Sequence, residues 1–313
     1  MPSRRFANIS RLLVPAAVFF LLIAGAIAPF AASAQGKAVQ KKRTVSFGVI
    51  PRFNPHVMYE YYQPLLDYLS RNTPYDFRLR VGRSYMETIE SLKNGGTDVA
   101  YLGGATFSLA RHRFGARALV KPRNPEGGTS YRCYIVVRGD SPIRTLSDLK
   151  GKSLAFGARR ATTGSLIPSY MLVEAGITMD LLKELKNLPH HEDVAKAVLK
   201  GTVDAGAVKD VVAWRYQAQG LRVIATSENL PNAPIAAGPS LPKDVEGVMV
   251  SALLAIDAKS PEGRKLLAGW GPELRYGFVP ARDEDYDFLY RKIISIPKGC
   301  GKGCHAKNPF LEP

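Results

Sequence analysis

Long apolar runs are scarce in this chain, and the only one lies at the N-terminus, where residues 12–30 follow a basic start. Ala32-Ser33-Ala34 comes next, with the small-x-small pattern of a leader cleavage site. We therefore expect residues 1–34 to be a signal peptide cleaved after Ala34, and residues 35–43 to be a flexible leader. An uncleaved anchor is the alternative, because the run approaches bilayer thickness. Since no second such run follows, we do not expect the mature protein to be an integral membrane protein. We expect it to work in the periplasm.

Motifs of the common enzyme classes are also absent. The sequence contains no G-x-S-x-G nucleophile elbow, no H-E-x-x-H zinc motif and no Walker phosphate loop. No motif places a pair of carboxylates for acid–base chemistry, and no spacing predicts a complete set of metal ligands. We therefore do not expect an enzyme or a metal site.

Acidic residues are fewer than basic ones, with 27 Asp and Glu against 43 Lys and Arg, which makes the formal net charge +16. Such a balance suits an anionic ligand, a nucleic acid or an acidic membrane surface. The densest basic cluster is only Lys41-Lys42-Arg43, at the flexible start. The sequence therefore predicts no nucleic-acid partner and favours a small anion.

Cysteine is scarce, with three residues in the chain. Two of them, Cys300 and Cys304, lie in the tail of residues 299–313 and are followed by His305. This pattern is one residue longer than the Cys-x-x-Cys-His of c-type haem attachment. The tail therefore predicts either a covalent haem c or a Cys300–Cys304 disulfide formed after export. The haem alternative would make the protein an electron carrier on a binding-protein scaffold.

Short apolar runs alternate with amphipathic stretches from residue 44 onward, which predicts an α/β fold with helices covering parallel sheets. Extended runs near residues 131–138 and 230–238 divide this series, so we expect two lobes joined by a hinge of two crossover strands. Lobe 1 is expected to comprise residues 44–135 and 238–298, and lobe 2 residues 136–237. A ligand of such a fold binds in the cleft, at strand ends and helix N-termini.

The first predicted helix begins at Asn54-Pro55. Its apolar side chains recur at helical spacing and predict the buried face. That face is expected to consist of Tyr59, Tyr62, Leu65, Leu66 and Leu69.

Residues 154–168 predict an anion site. A short apolar run ends in a small-residue loop, Arg159 and a second arginine follow, and Thr162, Thr163 and Gly164 begin a helix expected to reach about residue 175. A helix N-terminus offers unpaired N–H groups and the positive end of the helix dipole. Arginine can hold an oxyanion with two parallel hydrogen bonds. The alternative is an ordinary capped helix with two solvated arginines.

Several segments together resemble the periplasmic phosphonate- and phosphite-binding proteins of ABC importers, in the order of that family. The segments are Gly48-Val49-Ile50-Pro51, Tyr62-x-Pro64-Leu65, Gly95-x-x-Asp98-Val99-Ala100-Tyr101, Asp140-Ser141-Pro142-Ile143, Thr162-Thr163-Gly164 and Val203-Asp204-Ala205-Gly206. The resemblance implies a type II periplasmic binding fold whose two lobes close on a small phosphate-, phosphite- or phosphonate-like oxyanion. It also implies that the protein presents this ligand to an ABC permease.

The same resemblance implies particular site residues. A hydroxyl-rich segment that holds the phosphonate oxygens in the family aligns with Ala161-Thr162-Thr163-Gly164, in which Ala161 removes one hydroxyl. His191, rather than His190, matches the ligand-proximal histidine of the family. Aromatic side chains are candidates either for the cleft wall or for the core. These candidates are Phe53, Tyr101, Tyr131 and Trp214.

Cys133 leaves a different function open. Thiolate prefers soft ligands to phosphate-like oxygen, and arsenite-sensing members of this superfamily resemble this fold and use a cysteine on their ligand. The alternative is therefore an arsenite-binding sensor protein that uses Cys133 and signals to a membrane histidine kinase. With either ligand we expect a monomer.

Overall fold

The computed structural model describes residues 42–295 and 308–311. Within these residues the strands form two larger sheets and one two-stranded sheet. The predicted signal peptide and most of the tail lie outside the described residues. The predictions for Cys300, Cys304 and His305 therefore stay predictions.

The strands follow one another along the chain between residues 43 and 280. They are Arg43–Val49 (β1), Tyr75–Val81 (β2), Val99–Tyr101 (β3), Arg117–Pro122 (β4), Ser130–Tyr131 (β5), Cys133–Arg138 (β6), Ser153–Phe156 (β7), Glu184–Asn187 (β8), Ala205–Lys209 (β9), Leu221–Thr226 (β10), Leu230–Pro231 (β11), Ile235–Ala237 (β12) and Phe278–Pro280 (β13).

The first sheet has the spatial order β13-β4-β12-β3-β1-β2. One half of it is parallel, because β1 pairs in parallel with both β2 and β3, whereas β12 runs antiparallel between β3 and β4. The second sheet has the order β10-β6-β9-β7-β8, with β7 parallel to both β8 and β9. In each sheet, therefore, the carboxyl ends of the parallel strands meet at one edge.

The chain crosses between the two sheets at two short strands that pair with each other. β5 leads from the first sheet into the second, and β11 leads back. The two are antiparallel, with Tyr131 opposite Leu230. This pairing confirms the expected hinge of two crossover strands.

Helices connect the strands and cover the sheets. They are Pro55–Asn72 (α1), Tyr85–Lys93 (α2), Gly104–Phe114 (α3), Ile167–Glu174 (α4), His191–Leu199 (α5), Asp210–Gln217 (α6), Lys243–Leu254 (α7), Pro261–Leu267 (α8) and Asp287–Ile294 (α9). The late helices return to the first sheet, since α7 contacts α1, β4 and β13, and α9 contacts α3. None of the helices in the part of the chain that the structure describes has the length and apolarity to cross a membrane.

Helix α1 shows how local sequence positions an element. Asn54 caps it by accepting a hydrogen bond from the N–H of Val57 at 3.1 Å, and Pro55 occupies the first turn, where a missing N–H does no harm. The prediction that Tyr59 belongs to the buried face is wrong, because that side chain is 52% exposed. Met58 is buried instead, since it lies four residues before Tyr62 and therefore on the same side of the helix.

Two local predictions differ from the structure. β13 was not expected, because it is only three residues long and pairs with β4, more than 150 residues earlier in the chain. The helix expected to begin at Thr163 starts instead as a π-helical turn over Thr162–Leu166, which continues into α4. Such turns are rare and occur frequently at functional sites.

Candidate anion-binding site

Residues that follow the carboxyl ends of β1, β3, β7, β8 and β9 converge on a cavity between the two sheets. We call it the inner cavity, and its volume is about 40 Å³. That volume has room for a few water molecules or one small polar group. The lining residues are Ile50, Arg52, Phe53, Tyr85, Gly103, Tyr131, Ala161, Thr162, Thr163, His191, Lys209, Val212, Ala233 and Glu273.

Three charged side chains meet in the wall of the inner cavity. The Glu273 carboxylate accepts hydrogen bonds from Nη1 of Arg52 at 2.6 Å and from the Tyr101 hydroxyl at 3.0 Å, and it pairs with Nζ of Lys209 at 2.8 Å. The side chains of all three charged residues are only 10–11% exposed. Arg52 also stacks over the ring of Tyr101, with 4.4 Å between Cζ and the ring centroid. These contacts hold the charges in place in a site that excludes most water.

The ion cluster keeps the Glu273 carboxylate and the Arg52 guanidinium charged. Burial alone would raise the pKa of Glu273, but Lys209 and Arg52 lower it to about 2. Burial opposes the charge on Arg52, but the Glu273 carboxylate and neighbouring groups more than compensate, so the pKa of Arg52 lies above its ordinary value. Among the described lining residues there are thus two cations and one anion, so the inner cavity carries one surplus positive charge.

The π-helical turn brings Thr162 and Thr163 into the inner cavity. As at any helix N-terminus, the first backbone N–H groups of this turn have no acceptor within the turn itself, and such groups favour an anion. The Thr162 hydroxyl accepts a hydrogen bond from the N–H of Ala105 at 3.0 Å, and it is hydrogen-bonded to Tyr131 as well. Ala105 belongs to α3, on the first sheet, so this contact crosses the cleft.

Gly164 is required by close packing within the same turn. A Cβ atom at this position would lie 2.8 Å from Cβ of Ala161, 3.1 Å from Cα of Gly157 and 3.3 Å from Cε1 of His191. The first of these distances is shorter than real Cβ contacts allow. Gly164 therefore shapes the cradle by letting the turn approach His191, rather than by lining the cavity itself.

Two buried polar atoms of the cavity wall have no hydrogen-bond partner among the described residues. Within the described residues, Nη2 of Arg52 and Nδ1 of His191 are buried without a hydrogen-bond partner. Burial, and then the nearby Lys209 ammonium, lower the pKa of His191 to about 4, so its imidazole is neutral at physiological pH. Buried polar atoms in proteins are normally satisfied. An acceptor oxygen of a ligand would satisfy Nη2 of Arg52, and a hydroxyl of the same ligand could donate to Nδ1 of His191.

Aromatic residues close the rest of the cavity. Nζ of Lys209 lies 4.3 Å from the ring centroid of Tyr131, and Phe53 packs edge-on against Tyr61. Burial raises the pKa of Tyr85 to about 12 and raises that of Tyr131 as well, so both remain neutral phenols. Their hydroxyls can donate to an anion without adding charge.

The structure brings half of the site residues predicted from the sequence to this cavity. Thr162, Thr163, His191, Phe53 and Tyr131 line it. Their contact with a ligand remains a prediction.

Other predicted site residues lie elsewhere. Tyr101 does not line the inner cavity but supports it through Glu273 and Arg52. Arg159 lines a neighbouring cavity, and Trp214 is 41% exposed beside another. Cys133 is fully buried, its Sγ donating to the carbonyl oxygen of Thr163 at 3.3 Å, and burial raises the pKa of its thiol. It does not line the inner cavity.

The sequence analysis missed the three charged residues of the site, namely Arg52, Lys209 and Glu273. Two of them had a local signal, since Arg52 comes three residues after the last residue of β1 and Lys209 is the last residue of β9. A charged residue at the end of an apolar strand is a candidate for the cleft. Glu273 had no such signal, because it lies in a turn 221 residues from Arg52.

The described residues contain no group of three or more His, Cys, Asp or Glu side chains that could hold a metal ion. The donors of the inner cavity are instead those that proteins use for oxyanions: guanidinium, ammonium, hydroxyl groups and helix N-termini.

Two α/β lobes joined by paired crossover strands, with an anion cradle between them, define a solute-binding protein of the type II periplasmic fold. Residues 47–286 match the family model described as "ABC transporter, phosphonate, periplasmic substrate-binding protein". The chain therefore belongs to the family of periplasmic substrate-binding proteins of ABC phosphonate transporters.

Similar proteins agree with this assignment. The phosphate-import protein PhnD of Mycolicibacterium smegmatis is 24% identical over 269 residues, which cover 78% of this chain and 83% of the relative. The probable phosphite-binding protein PhnD1 of Prochlorococcus marinus is 23% identical over 178 residues, which cover 54% of this chain and 59% of the relative. Neither of these matches, nor the family model, favours an arsenite sensor or an electron carrier.

Solved structures share the fold. The binding component of an ABC phosphonate transporter from Pseudomonas aeruginosa has a TM-score of 0.72 at 20% identity, covering 83% of this chain and 91% of that one. PhnD1 of Prochlorococcus marinus in complex with methylphosphonate has a TM-score of 0.73 at 18% identity, covering 82% and 98%. At this level of identity the likeness shows the architecture only.

Proposed function

We propose that this protein binds one small tetrahedral oxyanion of the phosphonate, phosphite or phosphate group in the inner cavity and delivers it to an ABC permease. The observation that carries the proposal is the buried, unpartnered Nη2 of Arg52 beside Lys209, in a cavity with one surplus positive charge. The relatives named for phosphate import and phosphite binding, and the neighbour bound to methylphosphonate, support this ligand class.

The charge balance of the inner cavity indicates which ionisation state of the ligand binds. Arg52 and Lys209 carry two positive charges, and Glu273 compensates one of them. A ligand with a single negative charge would neutralise the other. A monoprotonated oxyanion also carries one hydroxyl, and the Glu273 carboxylate, which lines the cavity, can accept a hydrogen bond from it. We therefore expect the monoanion to bind in preference to the dianion.

Closure of the lobes would complete the site. Lys209 of β9 pairs with Glu273, which follows α8 on the side of the first sheet, and Thr162 accepts from Ala105, so both contacts bridge the cleft. Hinge closure at β5 and β11 would assemble these contacts around the anion. We further propose that the protein acts as a monomer without catalytic activity, exported to the periplasm and cleaved after Ala34.

Calorimetric titration tests the proposal, with phosphate, phosphite, methylphosphonate and sulfate as probes, alongside thermal unfolding of the same samples. A ligand that binds only the folded state raises the unfolding temperature. Lys209→Met is expected to weaken binding at least about thirtyfold, because removing a buried charge partner is costly. The matched control is Lys196→Met, which removes an exposed lysine of α5 and should leave affinity unchanged.

The proposal would be wrong if none of the phosphorus oxyanions bound or stabilised the wild-type protein. It would also be wrong if Lys209→Met, shown by circular dichroism to be folded, bound as tightly as Lys196→Met.

A further inference from the structure

A second cavity adjoins the inner one at the mouth of the cleft. We call it the outer cavity; its volume is about 420 Å³, and its lining includes Arg83, Tyr85, Arg159, Arg160 and His190. The first two come from the side of the first sheet, at the start of α2, and the others from the side of the second. The outer cavity therefore straddles the cleft, as the inner one does.

The two cavities are continuous through shared and adjacent residues. Tyr85 lines both. Arg160 directly precedes the Ala161-Thr162-Thr163 cradle, and His190 directly precedes His191. A substituent on an anion held in the inner cavity would thus point into the outer cavity when it extends past Tyr85.

The outer cavity is basic. Three guanidinium groups lie in its lining, with no acidic side chain among the described lining residues. Arg83 pairs with Glu87 at 3.1 Å on the outside, but its side chain is 90% exposed, so solvent screens that pair. Nδ1 of His190 is a buried atom with no hydrogen-bond partner in the described part of the chain.

We propose that the outer cavity is a second anion subsite, which holds an acidic substituent of the ligand whose phosphorus oxyanion occupies the inner cavity. The ligand class is a phosphonate that carries a carboxylate or a second phosphonate. Arginine suits this role, because its planar guanidinium grips a carboxylate with two parallel hydrogen bonds. The inference rests on the proposed function, since the first anion anchors the ligand.

A ligand series tests the subsite by calorimetric titration. Methylphosphonate and ethylphosphonate occupy the inner cavity alone, whereas phosphonoacetate and 3-phosphonopropionate add a carboxylate, and 2-aminoethylphosphonate adds a positive charge. We expect the carboxylated ligands to bind about tenfold more tightly than ethylphosphonate, because a hydrogen bond to a charged group is a strong one. The aminoethyl ligand should bind more weakly than ethylphosphonate. The gain should shrink as salt is added.

Two variants test whether the tighter binding of the carboxylated ligands arises in the outer cavity. Arg83→Gln and Arg160→Gln should each remove much of the preference for phosphonoacetate while leaving the affinity for methylphosphonate unchanged. Arg80→Gln, an exposed arginine of β2 outside both cavities, is the matched control and should change neither.

The outcomes separate the two proposals. If methylphosphonate binds but phosphonoacetate binds no more tightly than ethylphosphonate, the second subsite is refuted and the proposed function stands. If the preference exists but survives both arginine variants, it arises elsewhere and the subsite is again refuted. If no phosphorus oxyanion binds, the proposed function fails and the subsite fails with it.

Discussion

Replacing Glu273 with glutamine should make the protein less stable at neutral pH and remove much of its sensitivity to acid. The Glu273 carboxylate is the only acidic partner of Arg52 and Lys209 among the described lining residues of the inner cavity. Glutamine keeps the shape of the side chain but loses the charge. Two buried cations would then face each other without compensation, which is a strongly destabilising arrangement.

The magnitude follows from the ionisation of Glu273. Its pKa is lowered from 4.5 to about 2 in the folded protein. Each pH unit of difference between folded and unfolded states corresponds to about 1.4 kcal/mol, so the ionised carboxylate contributes about 3 kcal/mol to the free energy of unfolding. Removing one partner of a buried ion pair costs about 3–5 kcal/mol in general, which agrees with this value.

The sign of the pH dependence is fixed by the same values. Because the folded pKa is depressed, the unfolded chain takes up the proton first as the pH falls. The contribution is therefore complete above about pH 5 and is lost progressively between pH 5 and about pH 2. By pH 3 about 2 kcal/mol of it should be gone.

Urea unfolding followed by circular dichroism, at several pH values between 7 and 3, measures this contribution. Other carboxylates also titrate, so the quantity to compare is the difference between wild type and Glu273→Gln, which should shrink as the pH falls. Glu184→Gln is the control, because Glu184 pairs with Lys186 at 3.1 Å on the surface and should contribute little. A difference that stays constant from pH 7 to pH 3 would show that Glu273 is not held ionised by Arg52 and Lys209.

Two further predictions concern the cradle. Thr162→Val should weaken methylphosphonate binding about tenfold in a calorimetric titration, because the buried N–H of Ala105 loses its acceptor across the cleft. The control is Thr226→Val, at an exposed position, which should bind methylphosphonate as the wild type does. Equal affinity of the two variants would contradict the bridging role of Thr162. With both tail cysteines replaced by serine, Cys133 should resist Ellman's reagent in the folded protein and react once urea unfolds it, because it is fully buried and burial raises the pKa of its thiol. Rapid reaction of the folded protein would show that the thiol can be reached from the cleft.

Much of the fold was predictable because its signals are local. Apolar strands, glycines at helix ends and capped helix starts are read from a few neighbouring residues, and together they indicate two α/β lobes with paired crossovers. β13 escaped prediction because three residues carry no periodicity, and its pairing with β4 depends on the rest of the fold. The π-helical turn at Thr162–Leu166 also escaped, because hydrogen bonds from residue i to i+5 leave no pattern in composition.

The candidate site shows the same difference between residues with a local signal and residues that depend on the fold. Thr162 and Thr163 were predicted because they lie at the expected start of a helix, where the chain itself indicates the chemistry, and His191 was predicted from the family resemblance. Glu273 was not found, because its role exists only when folding brings it to Arg52, 221 residues away.

Electrostatics explains why Arg52 and Lys209 require a carboxylate such as that of Glu273 beside them. Lys209 ends one apolar strand and Arg52 lies three residues after another. Both become buried, and two adjacent buried cations cannot both stay charged without an anion nearby. In the protein one carboxylate supplies part of that compensation. It leaves one charge for the ligand to complete, so the site is stable without ligand and still attracts a single negative charge. A second carboxylate lining the inner cavity would neutralise it and remove its attraction for anions. Asp210, the buried carboxylate next to Lys209 in the sequence, is not one of the lining residues, and Glu273 is the only carboxylate among those described.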